Sequence, residues 1–175
     1  MTSLDGWENF YIIIGSSAAA LTGLMFVVIT LTAETRASYE DGAINAFATP
    51  TVSHFCFVLL IAAIVSVPHH TVGSLALCLG IAGVAGLAYT TFAVVRMRRQ
   101  KEYTPVVEDW VWHVIFPFVS YASVAGAAAF LWQGFVPMLY FVAAAALLLL
   151  YAGIHNAWDA AMWMAVHERK AQSRQ

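Results

Sequence analysis

Residues 110–158 read WVWHVIFPFVSYASVAGAAAFLWQGFVPMLYFVAAAALLLLYAGIHNAW, 49 consecutive positions without Asp, Glu, Lys or Arg. A helix that crosses a bilayer needs about 20 mostly apolar residues, so this stretch holds two spans. Gln133-Gly134-Phe135-Val136-Pro137 lies at its middle and supplies the turn between them. Toward the N-terminus, residues 42–95 form a second charge-free interval of 54 residues, interrupted at Pro68-His69-His70-Thr71-Val72-Gly73-Ser74. Residues 9–33 form a third, of 25. The expectation is an all-α integral membrane protein, a single membrane domain over residues 1–175 with five transmembrane helices. Its spans lie at about 9–33, 51–69, 73–96, 110–132 and 136–160, with a short helical tail beyond. The runs are continuous and long, unlike the short alternating segments of a barrel.

Composition agrees. Hydrophobic residues make up 61% of the chain and charged residues 10%, where a soluble domain carries about a quarter. Mean hydropathy is +0.75. So little polar surface excludes a soluble enzyme, a disordered chain, a disulfide scaffold and a nucleic-acid binder.

Orientation follows from the basic residues. Arg36 falls in the loop after the first span, Arg96, Arg98, Arg99 and Lys101 at the loop after the third, and Arg169, Lys170 and Arg174 in the tail. With five spans, all eight lie on one side, which the positive-inside rule makes cytoplasmic. The N-terminus is expected outside and the C-terminus in the cytoplasm, in a plasma or inner membrane. Trp7 and Trp132 then mark the outer boundary, and Trp110, Trp112, Trp158 and Trp163 the inner one. The start carries Asp5 and Glu8 and no basic residue, so the first helix reads as an uncleaved span.

Small residues recur on three helices: Gly15, Ala19 and Gly23 on the first, Gly80, Gly83 and Gly86 on the third, and Ala122, Gly126 and Ala129 on the fourth. Such spacing lets backbones approach closely in lipid, where dispersion drives association. Packing within one subunit accounts for any single stripe; three of them suggest a homo-oligomer. Cys56 and Cys78 read as small apolar core residues at different depths.

Ionisable residues inside membrane helices are the functional candidates. His54, His113, His155 and Asp159, with Asn156 beside them, fall in one layer near the cytoplasmic rim when depth is counted at about 1.5 Å per residue. His155 and Asp159, four apart, share a helix face. Pro117 lacks the N–H that would bond the His113 carbonyl, so a kink is expected there. Imidazole and carboxylate suit a transition metal, and imidazole suits a proton relay. The plain alternative is that each histidine bonds headgroups, water or a carbonyl at the interface. A haem would need facing histidines such as His54 and His113, and the chain has no Cys-x-x-Cys-His motif. No hydrolase, metalloprotease or phosphate-loop signature is present. The function expected first is a channel or transporter subunit moving an ion, proton or small solute past this His/Asp layer. A metal- or haem-binding oxidoreductase or sensor, and a non-catalytic partner of another membrane protein, are the alternatives.

Overall fold

A computed structural model describes residues 6–31, 41–99 and 107–172, without the side chains of 41–50, 96, 97, 99 and 163–172. The described residues form five helices: α1 (Glu8–Leu31), α2 (Asp41–Val65), α3 (Val72–Arg99), α4 (Val107–Trp132) and α5 (Leu139–Gln172). A single 3-10 turn, Val136–Met138, leads into α5. Segments of α1, α3, α4 and α5 are long and apolar enough to cross a membrane. In α2 the apolar stretch with described side chains, Thr51–Val65, is shorter. The helix itself starts ten residues before the expected boundary at Thr51.

Turn chemistry explains the short connections. Thr71 and Ser74 cap α3 reciprocally: the Ser74 N–H donates to Thr71 Oγ1 at 3.1 Å, and the Thr71 N–H donates to Ser74 Oγ at 3.1 Å. This is a capping box with serine in the third position. At the end of α4, Gly134 has φ 85°, while the Gly134 N–H donates to the Leu131 carbonyl and the Phe135 N–H to that of Phe130. A left-handed residue is what this paired closure requires, and glycine adopts it without a Cβ penalty.

Two ends of the bundle are set by side-chain contacts. Trp7 packs edge-on against Tyr140, with ring centroids 4.9 Å apart, so the start of α1 meets the start of α5 beside the Ser66–Thr71 and Gln133–Phe135 turns. At the opposite end, the Arg98 guanidinium stands 5.5 Å from the Trp110 ring, joining the end of α3 to the start of α4. The first is the turn end of the bundle and the second its basic end. Trp7 and Trp132 lie toward the first, and Trp110, Trp112 and Trp158 toward the second.

Helix α2 packs against α1, α3 and α5, while α4 packs against α3 and α5. Glycines set the closest approaches. A Cβ on Gly83 would lie 2.6 Å from the Ala125 backbone nitrogen, and one on Gly86 would enter the Tyr121 ring. Gly80 faces Ala128, so the α3 glycines seat α4 within the same chain. On α1 only Gly15 is used this way, against Ala62. Within the chain Gly15 alone of the Gly15/Ala19/Gly23 stripe is buried; Ala19 and Gly23 are exposed, because α1 buries Tyr11, Ile14, Gly15, Ala18 and Met25.

Large apolar side chains cover the outside, among them Ile13 and Phe26 on α1, Ile81 and Phe92 on α3, Phe130 on α4 and Phe141 on α5. In water this exposure would be an aggregation surface. On helices of this length it is the surface of a membrane-type bundle. Hydroxyls obey the same logic: Ser17, Thr22, Thr30, Thr90, Thr91 and Ser120 each donate to the carbonyl four residues earlier. Polar groups satisfied within their own helix impose little cost in an apolar medium. Cys56 and Cys78 are both free thiols, Cys56 exposed.

Candidate functional site

Helix α4 deviates from regular geometry where the polar residues begin. Val111–Ile115 is a π-helical turn, in which the Phe116 N–H donates to the Val111 carbonyl, five residues back. Pro117 follows at once; it has no N–H and cannot continue the ordinary ladder. The expected kink therefore takes the form of a π-turn, a feature common at functional sites. It carries Trp112 and His113.

Trp112 stacks on the His155 ring from α5, with centroids 3.9 Å apart and planes inclined by 19°. His155 Nε2 lies 3.1 Å from Asp159 Oδ2 and 3.7 Å from Glu108 Oε1. Both carboxylates approach the same ring nitrogen, although neither is aligned for a hydrogen bond. A protonated His155 would be held between two acids and against an aromatic face. The group sits at the rim: about half or more of the Asp159 and Glu108 side chains is exposed, as is a quarter of His155.

His54 lies deeper. It is 2% exposed, and its Nδ1 is 2.9 Å from the Tyr121 hydroxyl. Tyr121 is positioned by Phe57, edge-on at 4.8 Å, and by the gap that Gly86 leaves for its ring. Whichever tautomer is present, the phenol occupies one ring nitrogen, and Nε2 meets no hydrogen-bond partner among the described residues.

His113 connects the two groups. Next to Trp112 on the π-turn, it lies within electrostatic reach of Asp109, Asp159 and His155 on one side and His54 on the other. Asn156, next to His155 but turned inward, is 1% exposed, and neither its amide nitrogen nor its oxygen has a partner among the described residues.

The five expected site residues thus lie toward the basic side of the bundle in two groups that differ in burial: His155 and Asp159 partly exposed, His54 and Asn156 buried, with His113 within electrostatic reach of both. Comparison with family models, curated proteins and solved structures finds no match to this chain. Among the described residues, no group of three or more His, Cys, Asp or Glu could hold a metal ion. His54 is committed to Tyr121 and His155 to its acids, so the imidazoles do not converge on one point.

Three contributors were missed from the sequence: Tyr121, Trp112 and Glu108. Tyr121 carried a signal, since it is eight residues after His113 on the same helix and a buried phenol needs a partner. Glu108 and Trp112, four apart, also share a face, but nothing in the sequence pairs that face with His155.

Proposed function

We propose that this chain is a membrane transporter or channel subunit whose moving species is the proton, handed between the rim group His155–Asp159–Glu108 and the interior pair His54–Tyr121. The observation that carries this reading is the burial of His54 with one nitrogen held by Tyr121 and the other unmatched by protein. A buried titratable residue in a membrane helix is expensive to keep and marks an ion or proton route. Imidazole takes and releases a proton near neutral pH, and a phenol can both donate and accept. His113 lies in range of both groups and is the natural intermediate.

The topology that goes with this reading has five spans, the N-terminus outside and the basic end in the cytoplasm, supported by the placement of all eight Lys and Arg in the sequence. The rim acids then face the cytoplasm. Assembly into a homo-oligomer would use the small residues that α1 leaves outward, Ser16, Ala19, Ala20 and Gly23, since the α3 glycines are occupied by α4.

The test is proton flux in proteoliposomes loaded with a pH-sensitive dye, driven by a potassium gradient and valinomycin. Wild-type protein should dissipate the gradient faster than empty vesicles, and His54→Leu should abolish the difference. Wild-type flux equal to that of empty vesicles would overturn the reading.

A further inference from the structure

The five buried polar side chains among the described residues are Thr51, His54, Thr90, Ser120 and Asn156. All lie near the middle of their helices or toward the basic end, and none lies close to the turn end. Beyond them, toward the turn end, the buried interior is apolar apart from the Tyr11 hydroxyl near the start of α1, with Ile61, Leu79, Val124, Leu131 and Leu149 at its centre.

Most of these polar groups are already satisfied. Thr90 donates to the Gly86 carbonyl and Ser120 to that of Phe116, both at 2.9 Å. Thr51 also has an interaction. What remains is His54 Nε2 and the whole Asn156 amide. A buried unmatched polar group costs about 1–3 kcal/mol, and buried polar side chains are ordinarily hydrogen-bonded to protein or to ordered water.

Their positions bring these groups to one level. Gly153 on α5 lies against the Phe55 ring on α2, and the two helices run in opposite directions. His54 is one residue, and Asn156 three residues, nearer the basic end than that contact. Their heights along the bundle therefore differ by only about 3 Å. Asn156 shares the face of Gly153, which is the face turned to α2. Asp159 lies one further turn out, at the rim.

We propose that His54 and Asn156 line a hydrated chamber between α2 and α5, which binds water, or a proton carried on water, and opens only to the basic end. Water there gives Asn156 both a donor and an acceptor and gives His54 Nε2 its partner. It also continues the route from the rim past His113. The apolar interior beyond His54 closes the chamber toward the turn end. This inference rests on the proton-transfer reading for its purpose, but not for its test.

Accessibility to silver ion, a small cation that follows water and blocks thiols, tests the chamber without measuring flux. In a background of Cys56→Ala and Cys78→Ala, single cysteines replace Asn156, Thr51 or Ile61, and silver is applied to one face of the membrane at a time. Cysteines at the exposed Val107 and Val67 report the basic and turn faces. Silver should block the thiol of Asn156→Cys at least about tenfold faster from the basic face, because the other approach crosses apolar packing. Thr51→Cys should behave likewise, and Ile61→Cys should be spared from both faces. An Asn156→Cys and Thr51→Cys pair spared from both faces, or reached equally from both, would overturn the chamber. A chamber confirmed in vesicles that show no proton flux would overturn the function proposed above and leave this inference standing.

Discussion

Tyr121 occupies the space that a side chain on Gly86 would need, and from that position its hydroxyl stands 2.9 Å from His54 Nδ1. One residue on α3 thereby governs a contact between α4 and α2. Gly86→Ala should push the phenol ring away and lengthen or break the hydrogen bond. Overpacking of this kind costs about 1–3 kcal/mol. Thermal unfolding in detergent should show the loss, and Gly126→Ala, with open space around it, should show none.

The hydrogen bond itself can be separated from ring packing. Tyr121→Phe keeps the ring and leaves His54 Nδ1 without its partner, a loss of about 1–3 kcal/mol for a buried group. Adding His54→Leu removes the orphan and should restore much of that loss, since replacing both partners by apolar groups is close to neutral. A double variant less stable than Tyr121→Phe alone would mean that His54 is held by something other than Tyr121.

The rim pair should behave differently. Had His155 and Asp159 been buried together, removing one would have stranded a charge at considerable cost. Instead both side chains are partly in solvent, where ion pairs contribute about 0–1 kcal/mol. Asp159→Asn should therefore change stability by less than about 1 kcal/mol, no more than the double change with His155→Gln. If the rim relays protons, the same variant should slow flux in the vesicle assay, and an unchanged rate would remove Asp159 from the route.

The sequence carried the helices and the level of the polar residues, because hydrophobic run length and rise per residue are properties of a single helix. It did not carry rotation. Gly23 and Gly83 look alike as members of spaced small-residue stripes, yet one faces open space and the other meets the Ala125 backbone. Likewise His54 and His155 fall at similar depth but are claimed by different partners, Tyr121 and Asp159, because neighbouring helices turn them apart. Asn156 was singled out beside His155; its inward turn and unmatched amide appear only once α2 is packed on α5.

Topology can be tested on the intact chain. Cysteines at Ser3 and Ser173, in a background without Cys56 and Cys78, should react with a membrane-impermeant maleimide from opposite faces, as an odd number of spans demands. Labelling of both from one face would reduce the spans to an even number. It would then place α2, whose described apolar stretch of Thr51–Val65 is short, as a helix that does not cross.

Assembly is the remaining expectation, and here the structure moves the test to another residue. Gly83 seats α4, so Gly83→Leu would drive a side chain into the Ala125 backbone and destabilise the monomer, whether or not an oligomer exists. Gly23 is the informative position: it is exposed, with nothing within 4 Å of a Cβ placed there, and belongs to the outward line of Ser16, Ala19 and Ala20. Gly23→Leu should leave the melting temperature unchanged or slightly raised, since Gly is a poorer helix former than Leu by several tenths of a kcal/mol, roughly. It should at the same time weaken self-association by holding two α1 backbones apart. Single-molecule subunit counting in lipid nanodiscs reads the second effect and a detergent melt the first. An oligomer that persists unchanged in Gly23→Leu would exclude this face of α1 as the interface, and a wild-type chain that is monomeric in native-like lipid would exclude the homo-oligomer itself.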